Sequence, residues 1–376
     1  MESIFNNLQA IQLNQIAMWL IGALLIYLAI AKDMEPALLL PMGFGAILVN
    51  LPFSGAITQV MHGAEEIGVI SFLFDSGIAN ELFPLLLFIG IGAMMDFGPI
   101  LSNPKLMLFG AAAQFGIFAT LSLASLLGFE LKDAASIAII GAADGPTSIF
   151  VANFFNSNYM GAIIVAAYSY MALVPIVQPP VIKLITTKKE RLIRMEYNQK
   201  DVSKLTRILF PVIVTIVAGI ASPKSVALIG FLMFGNLLRE CGVLGSLSET
   251  AQKVLANLIT LLLGISVAAK MQADAFFNPQ TLLILGLGLF AFVFDTIGGV
   301  MLAKFMNLFS KKKMNPMIGA AGISAFPMSS RVVHKMGLAE DPQNFLLMHA
   351  AGANVSGQIA SVIAGGLILS LVGSML

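Results

Sequence analysis

Asp144 is the residue whose type and surroundings point most directly to chemistry. It lies within the apolar stretch Ile139-Ile140-Gly141-Ala142-Ala143-Asp144-Gly145-Pro146-Thr147-Ser148. A carboxylate in hydrocarbon costs several kcal/mol, so it needs a metal cation, a proton or an arginine beside it. The sequence therefore predicts an ion site at Asp144. A buried ion pair between Asp144 and Arg331 is the structural alternative.

The frame around Asp144 recurs downstream without its carboxylate. Ile318-Gly319-Ala320-Ala321 repeats Ile140-Gly141-Ala142-Ala143, and Gly322 and Ser324 follow. Both copies contain proline, which removes a backbone donor and clashes with the preceding turn, so both segments are predicted to unwind. Unwound carbonyls at membrane depth must face protein or a wet cavity, where they can ligate a small hard cation. The predicted helix breakers are Gly141, Gly145, Pro146, Pro316, Gly319, Gly322 and Pro327.

The composition places these segments in a membrane. Hydrophobic residues make up 58% of the chain, charged residues 11%, and the mean hydropathy is +0.90, whereas about a quarter of a soluble domain is charged. Apolar runs such as 14–31 and 104–128 are long enough to cross the hydrocarbon as helices, and they lack the alternation of a barrel. We predict an all-α polytopic membrane protein of about 10 to 11 helices, with inverted-topology repeats and broken helices at mid-membrane.

Several functional classes are excluded by charge and cysteine content. The formal net charge is +1 and no basic stripe interleaved with aromatic residues is present, so nucleic-acid binding is not expected. A lone Cys241 rules out a disulfide within the chain. His62, His334 and His349 lack metal-ligand spacing and are interpreted as surface or packing residues.

The chain divides into four predicted regions. Residues 1–80 are scaffold helices with a surface segment, and residues 81–186 form a first repeat that contains Asp144. Residues 187–257 comprise a basic loop and connecting helices, and residues 258–376 form a second repeat whose broken helix runs from Asn315 to Arg331. The positive-inside rule places the basic stretch from Lys183 to Arg207 in the cytoplasm.

The two repeats match at three places in the same order and at nearly equal spacing. Leu85–Met95 aligns with Leu261–Met271, Asn103-Pro104 with Asn278-Pro279, and the two Ile-Gly-Ala-Ala frames follow. Chance similarity between segments rich in Leu, Gly and Ala is the alternative. Internal repeats commonly build transporters whose binding site lies where the repeats meet.

Other polar residues of the apolar runs have both a functional and a structural interpretation. Tyr168 and Tyr170 lie inside a long apolar run and not at its edge. Asn315 and Asn354 could ligate an ion or form hydrogen bonds between helices. Asp295 likewise has both a functional and a structural interpretation. Two serines near the C-terminus are interpreted as packing residues of a small-residue seam: Ser356 and Ser361.

Two long motifs resemble one known family. They are Gly141-Ala142-Ala143-Asp144-Gly145-Pro146-Thr147-Ser148-Ile149 and the run from Asn315 to Val332, Asn-Pro-Met-Ile-Gly-Ala-Ala-Gly-Ile-Ser-Ala-Phe-Pro-Met-Ser-Ser-Arg-Val. From about Phe83 to the C-terminus the chain resembles the beta subunit of the sodium-pumping biotin-dependent decarboxylases of oxaloacetate, glutaconyl-CoA, methylmalonyl-CoA and malonate. Its length is similar to that of the acyl-CoA decarboxylase branch.

The resemblance implies roles for individual residues. The essential aspartate of the family falls on Asp144, and sodium would bind Asp144 together with Asn315, Ser324 or Asn354. Arg331 and Tyr170 would be catalytic, Arg331 by holding the carboxylate of carboxybiotin and Tyr170 by delivering a proton. Four further residues would shape the site: Gly141, Gly145, Pro146 and Gly319.

The resemblance also implies a division of labour among subunits. A carboxyltransferase alpha subunit would transfer a carboxyl group to biotin on a carrier subunit, and this chain would decarboxylate carboxybiotin, consume a proton and export sodium. The implied cofactors are sodium ion and biotin, the latter not attached to this chain. A small membrane-anchored gamma or delta subunit, a homotrimer and a location in the cytoplasmic membrane of a bacterium are also expected.

Two other functions remain open from the residues alone. A stand-alone carrier, such as a sodium/proton antiporter or a sodium-coupled organic-anion symporter, would need the same repeats but no enzyme partner. A purely structural scaffold is hard to reconcile with Asp144 among glycines and a proline.

Overall fold

The computed structural model describes residues 7–61, 64–196 and 201–375. The predicted surface or packing role of His62 therefore concerns a residue outside the described ones. The described chain is almost entirely helical, as predicted, and two short strands pair antiparallel within the predicted surface segment, with Val60 opposite Glu65.

The first half of the chain contains ten helices among its described residues. Their bounds, with the two strands, are α1 Leu13–Lys32, α2 Pro36–Val49, β1 Gln59–Met61, β2 Ala64–Glu66, α3 Val69–Leu73, α4 Leu82–Met94, α5 Gly98–Ser102, α6 Met107–Ala113, α7 Phe115–Leu126, α8 Leu131–Ala138, α9 Gly145–Phe154 and α10 Met160–Ile185. A π-helical turn, Phe74–Ala79, continues α3, and 3-10 turns occupy Pro104–Leu106 and Ile139–Ala142.

The second half adds ten more helices in its described part. They are α11 Lys188–Arg191, α12 Lys204–Ala221, α13 Val226–Glu240, α14 Gly245–Glu249, α15 Ala256–Val267, α16 Ala273–Phe276, α17 Pro279–Phe309, α18 Met317–Ala320, α19 Met328–Glu340 and α20 Leu347–Gly373. A π-helical turn, Thr250–Leu255, precedes α15, and 3-10 turns occupy Pro223–Ser225 and Ala268–Lys270.

Six described helices are long and apolar enough to cross a membrane, which confirms a polytopic membrane protein. They are Leu13–Lys32, Pro104–Leu126, Met160–Ile185, Gly245–Lys270, Pro279–Phe309 and Leu347–Gly373. A seventh span is possible where Val69–Ala79 and Leu82–Met94 join at a bend of 61°. The count of about 10 to 11 helices stays a prediction, since the remaining apolar helices are shorter.

The two ends of the molecule are distinguished by the basic loop. We call the end that carries residues 186–196 the basic end and the other the distal end. α10 has 26 residues and so is about 39 Å long. It reaches the basic end at Ile185 and therefore begins at the distal end.

The segment that carries Asp144 is a hairpin whose two ends lie together. The carboxylate of Asp133, in α8, accepts hydrogen bonds from Ser157 Oγ at 2.7 Å and from the Asn158 N–H at 3.2 Å, just beyond α9. Because α10 begins immediately afterwards at Met160, this junction is at the distal end. Residues 131–158 thus enter and leave on the distal side, and we call them hairpin 1.

The second broken segment is also a hairpin, and its ends attach to the basic loop. Asn315 Nδ2 donates to the carbonyls of Arg191, at 2.8 Å, and Ile193, at 3.0 Å. At the other end of the segment Glu340 forms an ion pair with Arg191, 2.6 Å between Nε and Oε1. Residues 315–341 thus enter and leave at the basic end, and we call them hairpin 2.

The tips of the two hairpins meet inside the helical bundle. The Ser324 N–H of hairpin 2 donates to the Ala142 carbonyl of hairpin 1 at 3.3 Å. Both residues are buried. The two broken segments therefore face each other, and each of them turns back to the end from which it entered.

Candidate functional site

Asp144 caps the N-terminus of α9 at the tip of hairpin 1. The preceding Ala143 has a positive φ of 51°, a conformation that costs energy for a residue with a side chain and is often found at functional sites. This turn points the carboxylate back at the start of α9, where the N–H of Thr147 donates to Oδ1 at 3.4 Å. The positive end of the helix dipole also favours a negative charge at this position.

Two hydroxyl groups complete the observed contacts of the Asp144 carboxylate. Thr147 Oγ1 donates to Oδ2 at 2.7 Å, and Ser361 Oγ of α20 donates to Oδ2 at 3.0 Å. Asp144 is only 3% exposed, and no cationic side chain forms an ion pair with it in the described part of the chain. The alternative of an ion pair with Arg331 is therefore wrong for this structure.

One face of α20 joins the carboxylate to hairpin 2. Asn354, Gln358 and Ser361 are spaced by four and three residues, so they lie along one side of the helix. Asn354 Nδ2 donates to the Ile323 carbonyl at 2.6 Å, and Gln358 Nε2 donates to the Ser324 carbonyl. This face thus touches Asp144 at one end and the tip of hairpin 2 at the other.

Unpaired acceptor oxygens lie along the same face. Asn354 Oδ1 and Gln358 Oε1 are buried and have no hydrogen-bond partner. Buried polar atoms are normally paired, so each unpaired one requires an explanation. Oxygen atoms of this kind, with the Asp144 carboxylate and its hydroxyl partner on the same helix face, Ser361, are the ligand type that a small hard cation prefers.

Ser324 lies against the face of α20 that contacts Asp144. Asn315 has no observed contact with that face. Ser324 Oγ donates to the Gly357 carbonyl of α20 at 3.1 Å. Asn315 lies at the base of hairpin 2, where its Oδ1 accepts from the Met317 N–H at 3.1 Å while its amide nitrogen holds the basic loop. Its contacts close the hairpin at the basic end.

Three of the predicted shaping glycines are sites of very close approach. A β-carbon on Gly141 would lie 2.8 Å from Asp295 Oδ2, and one on Gly145 would lie 2.3 Å from the ring of Tyr168. A β-carbon on Gly319 would lie 2.0 Å from the Gly299 carbonyl oxygen. A side chain at any of these positions would push the hairpin away from its neighbours.

Tyr168 and Tyr170 face different neighbours because two residues turn a helix by about 200°. The Tyr170 hydroxyl donates to the Leu285 carbonyl of α17. The Tyr168 ring packs against Gly145, the residue after Asp144, and its buried hydroxyl has no hydrogen-bond partner. The tyrosine beside the carboxylate is therefore Tyr168, whereas the predicted proton donor Tyr170 contacts α17.

The comparison with known protein families matches nearly the whole chain. A family model described as the Na+-transporting oxaloacetate decarboxylase beta subunit matches residues 14–372. The chain belongs to this family. The predicted resemblance is thereby confirmed, and it begins at the start of α1 and not near Phe83.

Similar beta subunits come from several bacteria. The methylmalonyl-CoA decarboxylase subunit beta of Propionigenium modestum is 49% identical over 381 residues, which cover 96% of each chain. That of Veillonella parvula is 48% identical over 357 residues, covering 95% of this chain and 93% of its own. The oxaloacetate decarboxylase beta chain of Klebsiella pneumoniae is 45% identical over 416 residues, 96% of each chain. All three relatives are decarboxylase beta subunits.

Arg331 of this beta subunit lines an open cleft at the basic end. The cleft has a volume of about 360 Å³ and is lined also by Lys32, Asp33 and Lys335. Arg331 is exposed, and among the described residues it forms no ion pair within 4 Å. Its guanidinium is therefore available to a carboxylate that arrives from the basic side.

Glu35 lies close enough to Arg331 for the two charges to interact. Burial raises the pKa of the Glu35 carboxyl above its usual value, and the charge of Arg331 partly offsets this rise. Glu35 lies in the short link between α1 and α2, next to the Asp33 that lines the cleft. The cleft thus has a guanidinium without an ion pair among the described residues and, close by, the Glu35 carboxyl, whose pKa responds to its charge.

Four residues around Asp144 were not assigned to the site from the sequence: Thr147, Tyr168, Gln358 and Ser361. Thr147 carries a usable signal, because a residue three positions after an N-cap aspartate faces its carboxylate. Ser361 and Gln358 fall on the same helical face as Asn354, which a helical projection would have shown. Tyr168 could not be separated from Tyr170 without knowing which side of α10 faces hairpin 1.

Proposed function

We propose that this beta subunit is the membrane subunit of a decarboxylase sodium pump. It decarboxylates carboxybiotin, which consumes a proton, and couples this reaction to sodium export. The observation that carries the proposal is the Asp144 carboxylate, which is buried where the two hairpins meet, has no cationic partner among the described residues and is hydrogen-bonded to the helix that carries the unpaired oxygens of Asn354 and Gln358.

Sodium is the transported ion that these groups suit. The Asp144 carboxylate offsets the charge of the ion, and Ser361, Ser324 and Asn354 supply uncharged oxygens that replace water in its shell. Asn315 closes hairpin 2 at its base in this structure, and it joins the sodium shell when the hairpin rearranges to bring its amide oxygen inward. Backbone carbonyls at the two hairpin tips add further ligands of the same kind.

Arg331 binds the carboxylate of carboxybiotin in this proposal. A guanidinium presents two parallel N–H donors that match a carboxylate. The reaction breaks the bond between the biotin nitrogen and the carboxyl carbon, releases carbon dioxide and leaves the electron pair on nitrogen, which takes up a proton. Tyr170 delivers that proton, for which its hydroxyl must first leave the Leu285 carbonyl.

Two clefts at the basic end support the proposal that soluble partner subunits bind there. A second cleft there, of about 370 Å³, is lined by Lys105, Arg194, Lys312 and Lys313. Both clefts would be reached by a biotin carrier subunit and a carboxyltransferase alpha subunit from the cytoplasm, where basic loops are found. A small gamma or delta subunit, a homotrimer and the cytoplasmic membrane of a bacterium complete the proposed assembly.

Two inverted repeats would give the movement that pumping requires. Asn103 lies beside Lys312 and Lys313 at the basic end, whereas its match Asn278 caps α17 at the distal end. Hairpins 1 and 2, which contain the matched Ile-Gly-Ala-Ala frames, likewise open to opposite ends. This arrangement supports inverted repeats with an ion site between them, which is common among transporters with alternating access.

The test is sodium uptake by the complete decarboxylase complex in vesicles, driven by its carboxylic acid substrate. We expect Asp144→Asn to abolish sodium uptake, because the amide cannot offset the charge of the ion. Asp75→Asn, at an exposed position, is the matched control and should transport normally. Normal uptake by Asp144→Asn would refute the proposal. Uptake that continues without the biotin carrier would indicate a stand-alone carrier instead.

A further inference from the structure

Another buried carboxyl group, Asp295, lies in the middle of α17 and has no part in the function proposed above. Asp295 is 0% exposed. Its Oδ1 accepts a hydrogen bond from the Gly116 N–H at 2.6 Å. Gly116 is the second residue of α7, so this oxygen caps the helix that begins after the interruption at Gln114.

The other carboxyl oxygen of Asp295 is unpaired. Oδ2 is buried without a hydrogen-bond partner and faces Gly141, whose β-carbon, if present, would lie 2.8 Å away. The same space around Gly141 contains the side chains of Ala291 and Ile117. A second unpaired group, the Thr120 hydroxyl, lies one turn beyond Gly116 on α7 and is 0% exposed.

Few charged groups share this part of the bundle. Of the helices that pack against α17, three contain no Asp, Glu, Lys, Arg or His: α6, α7 and α18. Tyr170 contacts Gly288, two turns from Asp295, and Asp144 follows Gly141 by three residues. The remaining titratable groups of the packed elements are Tyr168 and Lys183 of α10, Lys132 and Asp133 at the outer end of α8, and Asp274 of α16.

We propose that Asp295 is a second ion-binding carboxyl group, one that binds a proton where Asp144 binds sodium. An ionised Oδ2 would be a buried charge facing apolar side chains, which costs far more than a neutral acid. A sodium ion would need several oxygen ligands, whereas the side chains that share the space beside Gly141 with Oδ2 are those of an alanine and an isoleucine. The neutral acid still accepts the hydrogen bond from the Gly116 N–H.

The position of Asp295 links its proton to the sodium site. Gly141 belongs to the Ile139–Ala142 turn, and Asp144 follows that turn directly. Loss of the proton would place a negative charge against Gly141 and displace the turn that positions Asp144. The binding of a proton to Asp295 does not depend on the proposed function, whereas its use during turnover rests on it.

Infrared spectroscopy of the purified complex tests the protonation directly. In saturating sodium at neutral pH Asp144 is ionised and bound to the metal, so a carboxylic-acid band from Asp295 should remain. We expect this band to be lost in Asp295→Asn and retained in Asp144→Asn. Removal of sodium should add a second band only when Asp144 is present.

Two results would overturn the proposal. Wild-type and Asp295→Asn spectra that are identical in the carboxylic-acid region would show that Asp295 is ionised. A band of Asp295 that disappears on addition of sodium, in the Asp144→Asn background, would make Asp295 a sodium ligand. If Asp295→Asn does not assemble, carbon-13 labelling of aspartate in the wild type shows whether a protonated aspartate persists in saturating sodium. These readouts need no decarboxylase activity, so they fail independently of the proposed function.

Discussion

Ser361 Oγ of α20 donates a hydrogen bond to Asp144 Oδ2 across 3.0 Å, although 217 residues separate the two in the sequence. This contact connects hairpin 1 to the helix that also holds the tip of hairpin 2 through Asn354. Binding or loss of a cation at Asp144 therefore affects the contacts of α20 with both hairpins.

Replacing Ser361 with alanine should weaken sodium binding. The substitution removes a hydroxyl oxygen from the proposed shell, and a hydrogen bond to a charged group is worth about 1.5–3 kcal/mol, so we expect the sodium dissociation constant to rise about tenfold or more. Ser370→Ala is the control, since Ser370 Oγ bonds only the Gly366 carbonyl of its own helix, at 2.9 Å. Sodium titration of the complex measures both. Equal affinities would remove Ser361 from the site.

Gly319→Ala should prevent stable folding of hairpin 2. The added β-carbon would lie 2.0 Å from the carbonyl oxygen of Gly299, and that oxygen belongs to the backbone of α17 and cannot move away. We expect a destabilisation of at least about 1–3 kcal/mol, the usual range for overpacking. Gly286→Ala is the control, because Gly286 lies in α17 with Gly299 and a β-carbon there would have no atom within 4 Å. This variant should leave the unfolding temperature unchanged or slightly raised. A normal unfolding temperature for Gly319→Ala would contradict the packing described.

Asp133→Asn should loosen hairpin 1 at its base without altering the ion site. The carboxylate accepts from Ser157 Oγ and from the backbone and side chain of Asn158, and an amide can accept with only one of its two ends. We expect a loss of about 1–3 kcal/mol of stability, measured by thermal unfolding, with sodium affinity close to normal in the folded fraction. A large loss of sodium affinity at unchanged stability would place Asp133 in the site.

The two tyrosines should respond differently to loss of their hydroxyls. Tyr170→Phe removes the proposed proton donor, so the decarboxylation rate should fall about a hundredfold while sodium affinity stays near normal. Tyr168→Phe removes a buried hydroxyl that has no hydrogen-bond partner, so stability should not fall. A normal rate with Tyr170→Phe, measured as release of carbon dioxide by the complex, would show that the proton comes from elsewhere.

The sequence alone predicted the class of fold and the interruption of the helix at Asp144 because these depend on local signals. Apolar runs predicted the spanning helices, and glycine and proline predicted the interruptions on either side of Asp144. What local signals could not predict is that both broken segments turn back. That result depends on contacts between distant residues, such as Asn315 with the Arg191 carbonyl across 124 residues.

The same limit applies to the choice between Tyr168 and Tyr170. Both lie in one apolar run of α10, and their spacing shows only that they face different sides. Which side meets hairpin 1 depends on the packing of Gly145 against Tyr168, which tertiary structure alone determines. The orientation of Asn354, with its Oδ1 unpaired, is likewise visible only once α20 is packed against hairpin 2.

Direct binding of radioactive sodium to the purified complex tests the central claim. Wild-type protein should bind sodium saturably in the absence of substrate, and Asp144→Asn should lose this binding while retaining the wild-type unfolding temperature in sodium-free buffer. Saturable binding of normal affinity by a folded Asp144→Asn variant would show that the ion is held elsewhere, and the role assigned to the two hairpin tips would then be wrong.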